Sequence, residues 1–243
     1  MNTTQTFEGK HTVKEALIAG RPIDKLFILR DAHGLSDIRR LARESGIPVV
    51  ECDRAKLNTM SQTSAHQGVI AAGAACDWSE LDDVWQKAEQ SGQPPLIVVC
   101  DGVEDPRNLG AIIRTAECAG AHGVIVSKRR SAGLTGSLAK AAAGALEHIP
   151  IVRVPNISAL LKDLKARGLW VYGTECGEGA KPIYDVDFSG GVALVLGGEG
   201  EGLGRLVKEN CDVLVHIPMY GKTQSLNVST ACGVILWTIK NSN

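Results

Sequence analysis

IPMYGKTQSLNVSTACGVILW, from Ile217 to Trp237, compresses a strand end, a polar loop and an apolar helix into one short stretch. The strand-like run Val213 to Ile217 stops at Pro218, which has no N–H to continue a ladder and so forces a turn. Ser225 and Asn227 stand where the polar loop becomes a helix. Two readings of them are open: caps for the orphan N–H groups of the first turn, or side chains aimed at a bound partner.

The 243 residues have room for two domains, and a composition of 44% hydrophobic and 22% charged residues describes a soluble globular protein. Aromatic residues make up 4%, too few for a surface that stacks many bases on rings. The net charge of −1 argues against indiscriminate coating of nucleic acid, yet leaves room for local basic patches. Seven scattered cysteines, none in a C-x-x-C pair, indicate neither a disulfide framework nor a zinc site, and a reducing cytoplasm is expected. His122, His148 and His216 are not spaced as paired ligands, so no metal is expected. The segment from Met1 to Val13 has no basic n-region or apolar run, and no stretch is long and apolar enough to span a bilayer, so neither a signal peptide nor a membrane partner is expected.

Taken in order, Lys10 to Gly20 predicts a helix, Lys25 to Leu29 a buried strand, Asp37 to Glu44 a helix, Ile47 to Val50 a strand, Arg54 to Met60 a helix and Gly68 to Gly73 a strand. Residues 1–75 thus read as a small α/β domain. Residues 76–95 carry five acids and one lysine and end in Gly92, Pro94 and Pro95, which marks them as an acidic linker. Residues 96–243 form a second α/β domain. Its strands are Leu96 to Cys100, Gly123 to Val126, Ile149 to Val152, Leu169 to Gly173, Val192 to Leu196 and Val213 to Ile217. Its helices are Asn108 to Ala119, Leu134 to Leu146, Ile157 to Arg167, a short one near Leu203 to Lys208, and Leu226 to Ile239. Six short apolar strands with interposed helices predict a mostly parallel sheet covered on both faces. Ligands in such sheets bind beyond the carboxyl ends of the strands.

Three loops at those ends stand out: Asp101 to Gly110, Gly197 to Gly202, and Pro218 to Asn227. In the first, Asn108 is a natural N-cap, and Arg114 projects from a helix flank either as a solvated side chain or as a clamp for phosphate or carboxylate. The second, LVLGGEGEGLG, fails the nucleotide templates. No register gives G-x-G-x-x-G, and no G-K-[ST] follows. Its glycines allow backbone to approach a ligand closely, and Glu199 and Glu201 place acceptors beside it or stand as solvated loop acids. A hydrolase triad lacks its local cue, since G-x-S-x-G is absent.

Together, N-L-G-A-I-x-R-T-A at Asn108 to Ala116, L-G-x-E-G-E-G at Leu196 to Gly202, and I-P-M…S-L-N-V-S at Ile217 to Ser229 resemble the three motifs of the SpoU-type RNA 2′-O-ribose methyltransferases of the SPOUT superfamily. The first domain resembles that family's N-terminal RNA-binding module, related to ribosomal protein L30e, through F-x-G-x-H-x-V-x-x-A-L at Phe7 to Leu17 and H-Q-G at His66 to Gly68. The two-domain arrangement is similar to bacterial 23S rRNA guanosine 2′-O-methyltransferases and less like the tRNA enzymes; Lys10 departs from an apolar position in many relatives. The resemblance implies a C-terminal segment tucked into a deep trefoil knot, a rare exception to ordinary chain topology. It also implies bound S-adenosylmethionine, an RNA substrate, most closely 23S rRNA, and a homodimer whose partner helps complete each site. It assigns cofactor contacts to Gly197, Ile217 and Leu226, and catalytic positions to Asn108, Arg114, Glu199, Ser225 and Asn227. A tRNA-modifying enzyme of the same family and a non-catalytic rRNA-binding module are the alternatives.

Methyl transfer to a ribose hydroxyl needs in-line positioning and removal of a proton. Arginine holds its proton far above neutral pH, so a neutral guanidinium at pH 7 costs roughly 8 kcal/mol. Arg114 therefore either sheds or shares a proton with help from an RNA phosphate, or stays charged and stabilises a developing alkoxide while another group accepts the proton. The second is physically cheaper.

Overall fold

The structure is a computed structural model that describes residues 6–30, 32–61, 65–73, 77–175 and 179–242. The chain divides into two compact units, Met1–Asp77 with Gly133–Gly136, and Trp78–Ala132 with Ser137–Asn243.

In the first unit β1 (Thr6–Glu8), α1 (Lys10–Ile18), β2 (Ile23–Leu29), α2 (Ser36–Glu44), β3 (Val49–Cys52), α3 (Arg54–Met60) and β4 (Val69–Gly73) build a mixed sheet of order β1-β4-β2-β3. Val13 and Leu17 of α1 and Ile38 and Ala42 of α2 pack with Leu26, Ile28, Val69 and Ala71 on one face, while Leu57 of α3 packs with Ile70 and Cys52 on the other. Alternating residues of β2 and β4 thus serve two helical layers, the period-2 signature of a strand buried on both faces. Strand β1 adds an edge to the expected pattern, pairing antiparallel with β4.

The second unit comprises α4 (Leu81–Ser91), β5 (Leu96–Asp101), α5 (Pro106–Cys118), β6 (Gly123–Ser127), α6 (Gly136–Ala142), β7 (Ile151–Val154), α7 (Ile157–Ala166), β8 (Trp170–Thr174), β9 (Lys181–Pro182), β10 (Val192–Gly197), α8 (Arg205–Glu209), β11 (Val213–His216) and α9 (Val228–Ser242), with 3-10 turns at Ala145–Glu147 and Ile183–Asp185. Its sheet runs β7-β6-β5-β10-β8-β11-β9 and every adjacent pair is parallel. The six expected strands are present, joined by the two-residue β9 at the edge. Strand β5 is buried along its whole length, as a central parallel strand must be.

Three sequence expectations are corrected. The stretch 76–95 is no plain linker: it contains α4, whose Val84 is fully buried among Ile97, Val99 and Ile125 of the second core. Three of its five acids gather at the start of that helix, where Asp82 and Asp83 complement the helix dipole and Asp83 forms a capping box with the N-cap Glu80. The helix expected from Leu134 to Leu146 ends at Ala142, because Ala143 and Gly144 take left-handed φ values of 48° and 91°. Finally, α5 is capped by Asp105, whose carboxylate accepts from Arg107 N at 2.8 Å, with Pro106 opening the helix. Asn108 is thereby released from capping.

Candidate functional site

A cavity of about 580 Å³ opens at the carboxyl ends of β8, β10 and β11, three strands that lie side by side in the sheet. Thr174 ends β8 and Glu175 follows it, Gly197 ends β10 and runs on to Gly202, His216 ends β11 ahead of Ile217 and Met219, and Gln224 to Asn227 lead into α9, whose Val228, Ala231 and Ile235 close the wall. The volume lies within the roughly 300–1,000 Å³ of small-molecule sites.

The glycine loop owes its shape to contacts that exclude side chains. A Cβ on Gly197 would stand 2.4 Å from the carbonyl carbon of Gly202, and one on Gly198 would stand 2.0 Å from the Gly102 carbonyl oxygen. Asp101, at the end of β5 and only 7% exposed, anchors both ends of this loop. Its backbone oxygen accepts from Gly198 N at 2.8 Å, and its carboxylate accepts from Gly204 N, also at 2.8 Å. The loop is thus held by backbone hydrogen bonds, leaving its own side chains free to face the cavity.

Those side chains join the three unusual loops. Asn227 caps α9: its Oδ1 accepts from Ser229 N at 2.9 Å and from Ser229 Oγ at 2.6 Å, while its backbone oxygen accepts from Ala231 N. Its Nδ2 donates to Asn108 Oδ1 at 3.1 Å, and Asn108 Nδ2 in turn donates to the carboxylate of Glu199. Each amide uses its oxygen toward one neighbour and its nitrogen toward the next, so the chain Ser229–Asn227–Asn108–Glu199 has a defined direction. The two readings of Asn227 are both realised, since one side chain caps the helix and reaches the site.

Of the residues singled out from the sequence, Gly197, Glu199, Ile217, Ser225, Leu226 and Asn227 line the cavity, and Asn108 is tied to two of them. Ser225 is exposed and makes no hydrogen bond among the described residues. Arg114 is not brought to the wall. It is exposed on α5 and has no ion pair or hydrogen bond among the described residues. Sequence reasoning missed Asp101, Thr174, Glu175, Met219 and Gln224. A buried acid closing the apolar run of β5 was the available signal for Asp101; the others had none, because their place in the wall depends on strand order.

The electrostatics narrow the chemistry. The described wall carries three carboxylates, Glu175, Glu199 and Glu201, and neither lysine nor arginine. Lys208 pairs with Glu175 and Arg130 with Glu201 from outside the wall, so the wall presents carboxylate oxygens and no cation of its own, which suits a ligand with cationic character better than a nucleotide's phosphates. Ile217, Met219, Leu226, Val228, Ala231 and Ile235 supply apolar surface for a flat ring system. Among the described residues no cysteine lines the cavity; burial pushes Cys211 and Cys232 up to about 12, and raises Cys100 well above its ordinary value. His216 Nδ1 meets the Ala180 carbonyl oxygen at 3.1 Å, and no imidazole is hydrogen-bonded to Ser225 among the described residues. Among the described residues no group of three His, Cys, Asp or Glu gathers to hold a metal ion, and no helix is long and apolar enough to cross a membrane.

Comparison with known proteins agrees with this geometry. Residues 95–237 match the model of the SpoU rRNA Methylase family, and residues 7–75 match the RNA 2′-O ribose methyltransferase substrate binding model. The chain is 42% identical over 233 residues to the Bacillus subtilis putative TrmH family tRNA/rRNA methyltransferase YacO, spanning 95% of this chain and 93% of the relative. It is 41% identical over 241 residues to the 23S rRNA (guanosine-2′-O-)-methyltransferase RlmB of Ralstonia nicotianae, spanning 98% and 95%. The SpoU methyltransferase AviRb from Streptomyces viridochromogenes, solved in complex with AdoMet, superimposes with a TM-score of 0.62 at 26% identity, over 97% of this chain and 89% of that one.

Proposed function

The chain belongs to the SpoU rRNA methylase family, and from that premise we propose that it methylates the ribose 2′-hydroxyl of a guanosine in 23S rRNA of the large ribosomal subunit. It is an RNA methyltransferase with S-adenosylmethionine as methyl donor. The 23S guanosine is favoured by likeness to RlmB over nearly the full length, N-terminal unit included. In this reading the first unit docks structured RNA, the second carries the chemistry, and the enzyme works in the cytoplasm.

One observation carries the proposal: a single directed chain of side chains, Asn227–Asn108–Glu199, ties all three family motifs together at the rim of an acid-lined cavity. The cavity fits the cofactor by volume, by its apolar wall and by its lack of cationic side chains. Gly197, Ile217 and Leu226 would hold it, with backbone groups presented where glycine leaves no side chain in the way. When bound, S-adenosylmethionine supplies a methyl group on a cationic sulfur.

The chain's own residues then position the ribose and manage one proton. Asn108 and Asn227 fix each other's amide orientation, so the groups facing the substrate need no reorganisation during reaction. Glu199 accepts from Asn108 through one oxygen and keeps further acceptor capacity for a hydroxyl. Arg114, exposed and off the wall of its own cavity, is read as reaching the site across a homodimer. There it stays charged and stabilises the developing alkoxide, while the remaining carboxylate oxygen of Glu199 takes the hydroxyl proton. The loop from Ile217 to Asn227 is read as the final pass of a trefoil knot, which would prevent it from opening away from the cofactor.

The test is transfer of labelled methyl from S-adenosylmethionine to total RNA, followed by mapping of the modified nucleotide. Label on the ribose of a 23S guanosine is expected. Label confined to tRNA would move the enzyme to the tRNA branch of the family, and cofactor binding without transfer to any RNA would reduce it to a binding module.

A further inference from the structure

Beyond the cofactor cavity, the second unit carries one run of cations, Lys128, Arg129 and Arg130, directly after β6. All three are exposed. We propose that this loop is a docking site for the phosphodiester backbone of the RNA substrate at the rim of the cofactor cavity, with Arg130 exchanging its ion pair to Glu201 for an RNA phosphate. The inference rests on the reading of the protein as an RNA methyltransferase and adds where that RNA is held.

Three observations support it. First, the loop is held in place rather than trailing. Lys128 N donates to the Val154 oxygen at 2.8 Å, Ala132 N donates to the Val103 oxygen at 3.0 Å, and the hydroxyls of Ser127 and Ser131 donate to the Arg129 and Ser127 carbonyls. Arg130 itself has φ of 54°, a left-handed conformation that side-chain-bearing residues adopt rarely. The chain is therefore fixed in a shape that presents consecutive basic side chains, which is how phosphate contacts set the register of a nucleic acid.

Second, the cations are available. Lys128 and Arg129 have no ion pair among the described residues, and Arg130 has only a long contact to Glu201, 3.5 Å between side chains 62% and 90% exposed. A solvent-screened pair of this kind is weak and readily replaced by a phosphate, to which a guanidinium offers two parallel N–H groups. Arg107 shows the contrast: its guanidinium is forked onto Asp105 by contacts of 3.2, 3.2 and 2.8 Å and is already engaged.

Third, the loop adjoins the reacting site. Glu201 lies on the glycine loop that lines the cavity, one residue beyond Gly200 and two beyond Glu199. The cavity wall is acidic and the loop beside it is basic, so the cationic cofactor and the polyanionic substrate are received by neighbouring surfaces of opposite sign.

The experiment compares full-length wild type, Lys128→Ala/Arg129→Ala, Arg130→Ala and Glu201→Gln. Affinity for unmethylated, transcribed 23S rRNA is measured across a salt series, and S-adenosylmethionine affinity by calorimetry. The double variant is expected to bind the transcript about tenfold more weakly at moderate salt, with a log Kd against log salt slope shallower by about 1.5, from roughly 0.7–0.9 per lost phosphate contact. Its cofactor affinity and thermal midpoint should not change, because both side chains are exposed. Glu201→Gln should bind the transcript more tightly, and Arg130→Ala should cancel that gain. An unaltered RNA affinity and salt slope in the double variant would overturn the docking site. So would an Arg130→Ala protein that loses cofactor affinity while binding RNA normally, since the ion pair would then serve only to shape the glycine loop. Wild type that binds no S-adenosylmethionine would instead refute the methyltransferase reading, so the two failures are distinct.

Discussion

Asn227 Nδ2 donates to Asn108 Oδ1 across 119 residues of sequence, at 3.1 Å. The contact exists because α5 and α9 pack against each other, Thr115 lying 3.6 Å from where a Cβ on Gly233 would be, and because each helix begins near the other's first turn. Two amides so placed act as one unit, and that makes their contribution measurable. Asn108→Ala and Asn227→Ala should each lower kcat/KM for RNA by about tenfold to a hundredfold, while the double variant loses far less than the product of the two. Multiplicative losses in that cycle would mean that the amides act independently.

The same pair separates stability from activity. Asn227→Ala also removes the cap of α9, so it should cost about 0.5–2 kcal/mol of stability, read as a lower denaturant midpoint. Asn108 caps nothing, and its alanine variant should unfold close to wild type. Equal destabilisation by both would show that the capping role of Asn227 is not separable from the network.

Arg114 makes no contact in the cavity of its own chain, so Arg114→Ala should leave the calorimetric affinity for S-adenosylmethionine nearly unchanged. Turnover on RNA should fall by about a hundredfold or more, the scale of losing one preorganised charge at a reacting centre. Normal methylation by the purified variant would remove Arg114 from the mechanism.

The glycine loop predicts a contrast between neighbours. Gly198→Ala drives a methyl group to 2.0 Å from the Gly102 oxygen, so the loop must move and cofactor affinity should drop by more than tenfold. Gly200 has φ of 97° but nothing within 4 Å of an added Cβ, so Gly200→Ala meets conformational strain alone, on the order of 1–3 kcal/mol, and should keep measurable binding. A reversal of this order would mean that the loop rearranges on binding.

His122 supplies a pH dependence. Its Nδ1 accepts from Leu96 N at 2.9 Å and its Nε2 meets Ser91 Oγ at 2.9 Å, so it is built in as neutral imidazole. Burial first, then the nearby Lys87 and Lys240, hold its pKa below the ordinary 6.5. The unfolded chain therefore binds the proton more readily than the folded one, and the stability that this group contributes is full above about pH 6.5 and declines as pH falls below it. Thermal unfolding between pH 7 and pH 5 should show a fall that His122→Gln flattens; parallel curves would assign the acid sensitivity elsewhere.

Much of this molecule was legible in the sequence because its signals are local. Apolar runs such as Leu96 to Cys100 can be stable only when buried on both faces, so the parallel sheet and the alternation of strand and helix followed from periodicity. Glycines packed against backbone and the polar residues after β5, β10 and β11 marked three loops as special, and the resemblance carried by those loops identified the chemistry. Local signals also misled where two uses of one residue type compete. The acids of 76–95 read as a solvated linker, but Glu80, Asp82 and Asp83 start α4, and Asn108 read as a cap although Asp105, three residues earlier, takes that work.

Tertiary structure alone decided what the three loops do to one another. Strand order places β10 between β5 and β8, and with α5 packed on α9 that brings Asn108, Glu199 and Asn227 into one hydrogen-bonded chain. It likewise placed Arg130 against Glu201 and left Arg114 outside the cavity wall. Hydrogen bonds and ion pairs act over a few ångströms in space, whereas a sequence records only separation along the chain. Residues 91 and 119 positions apart become partners only once the sheet has chosen its order.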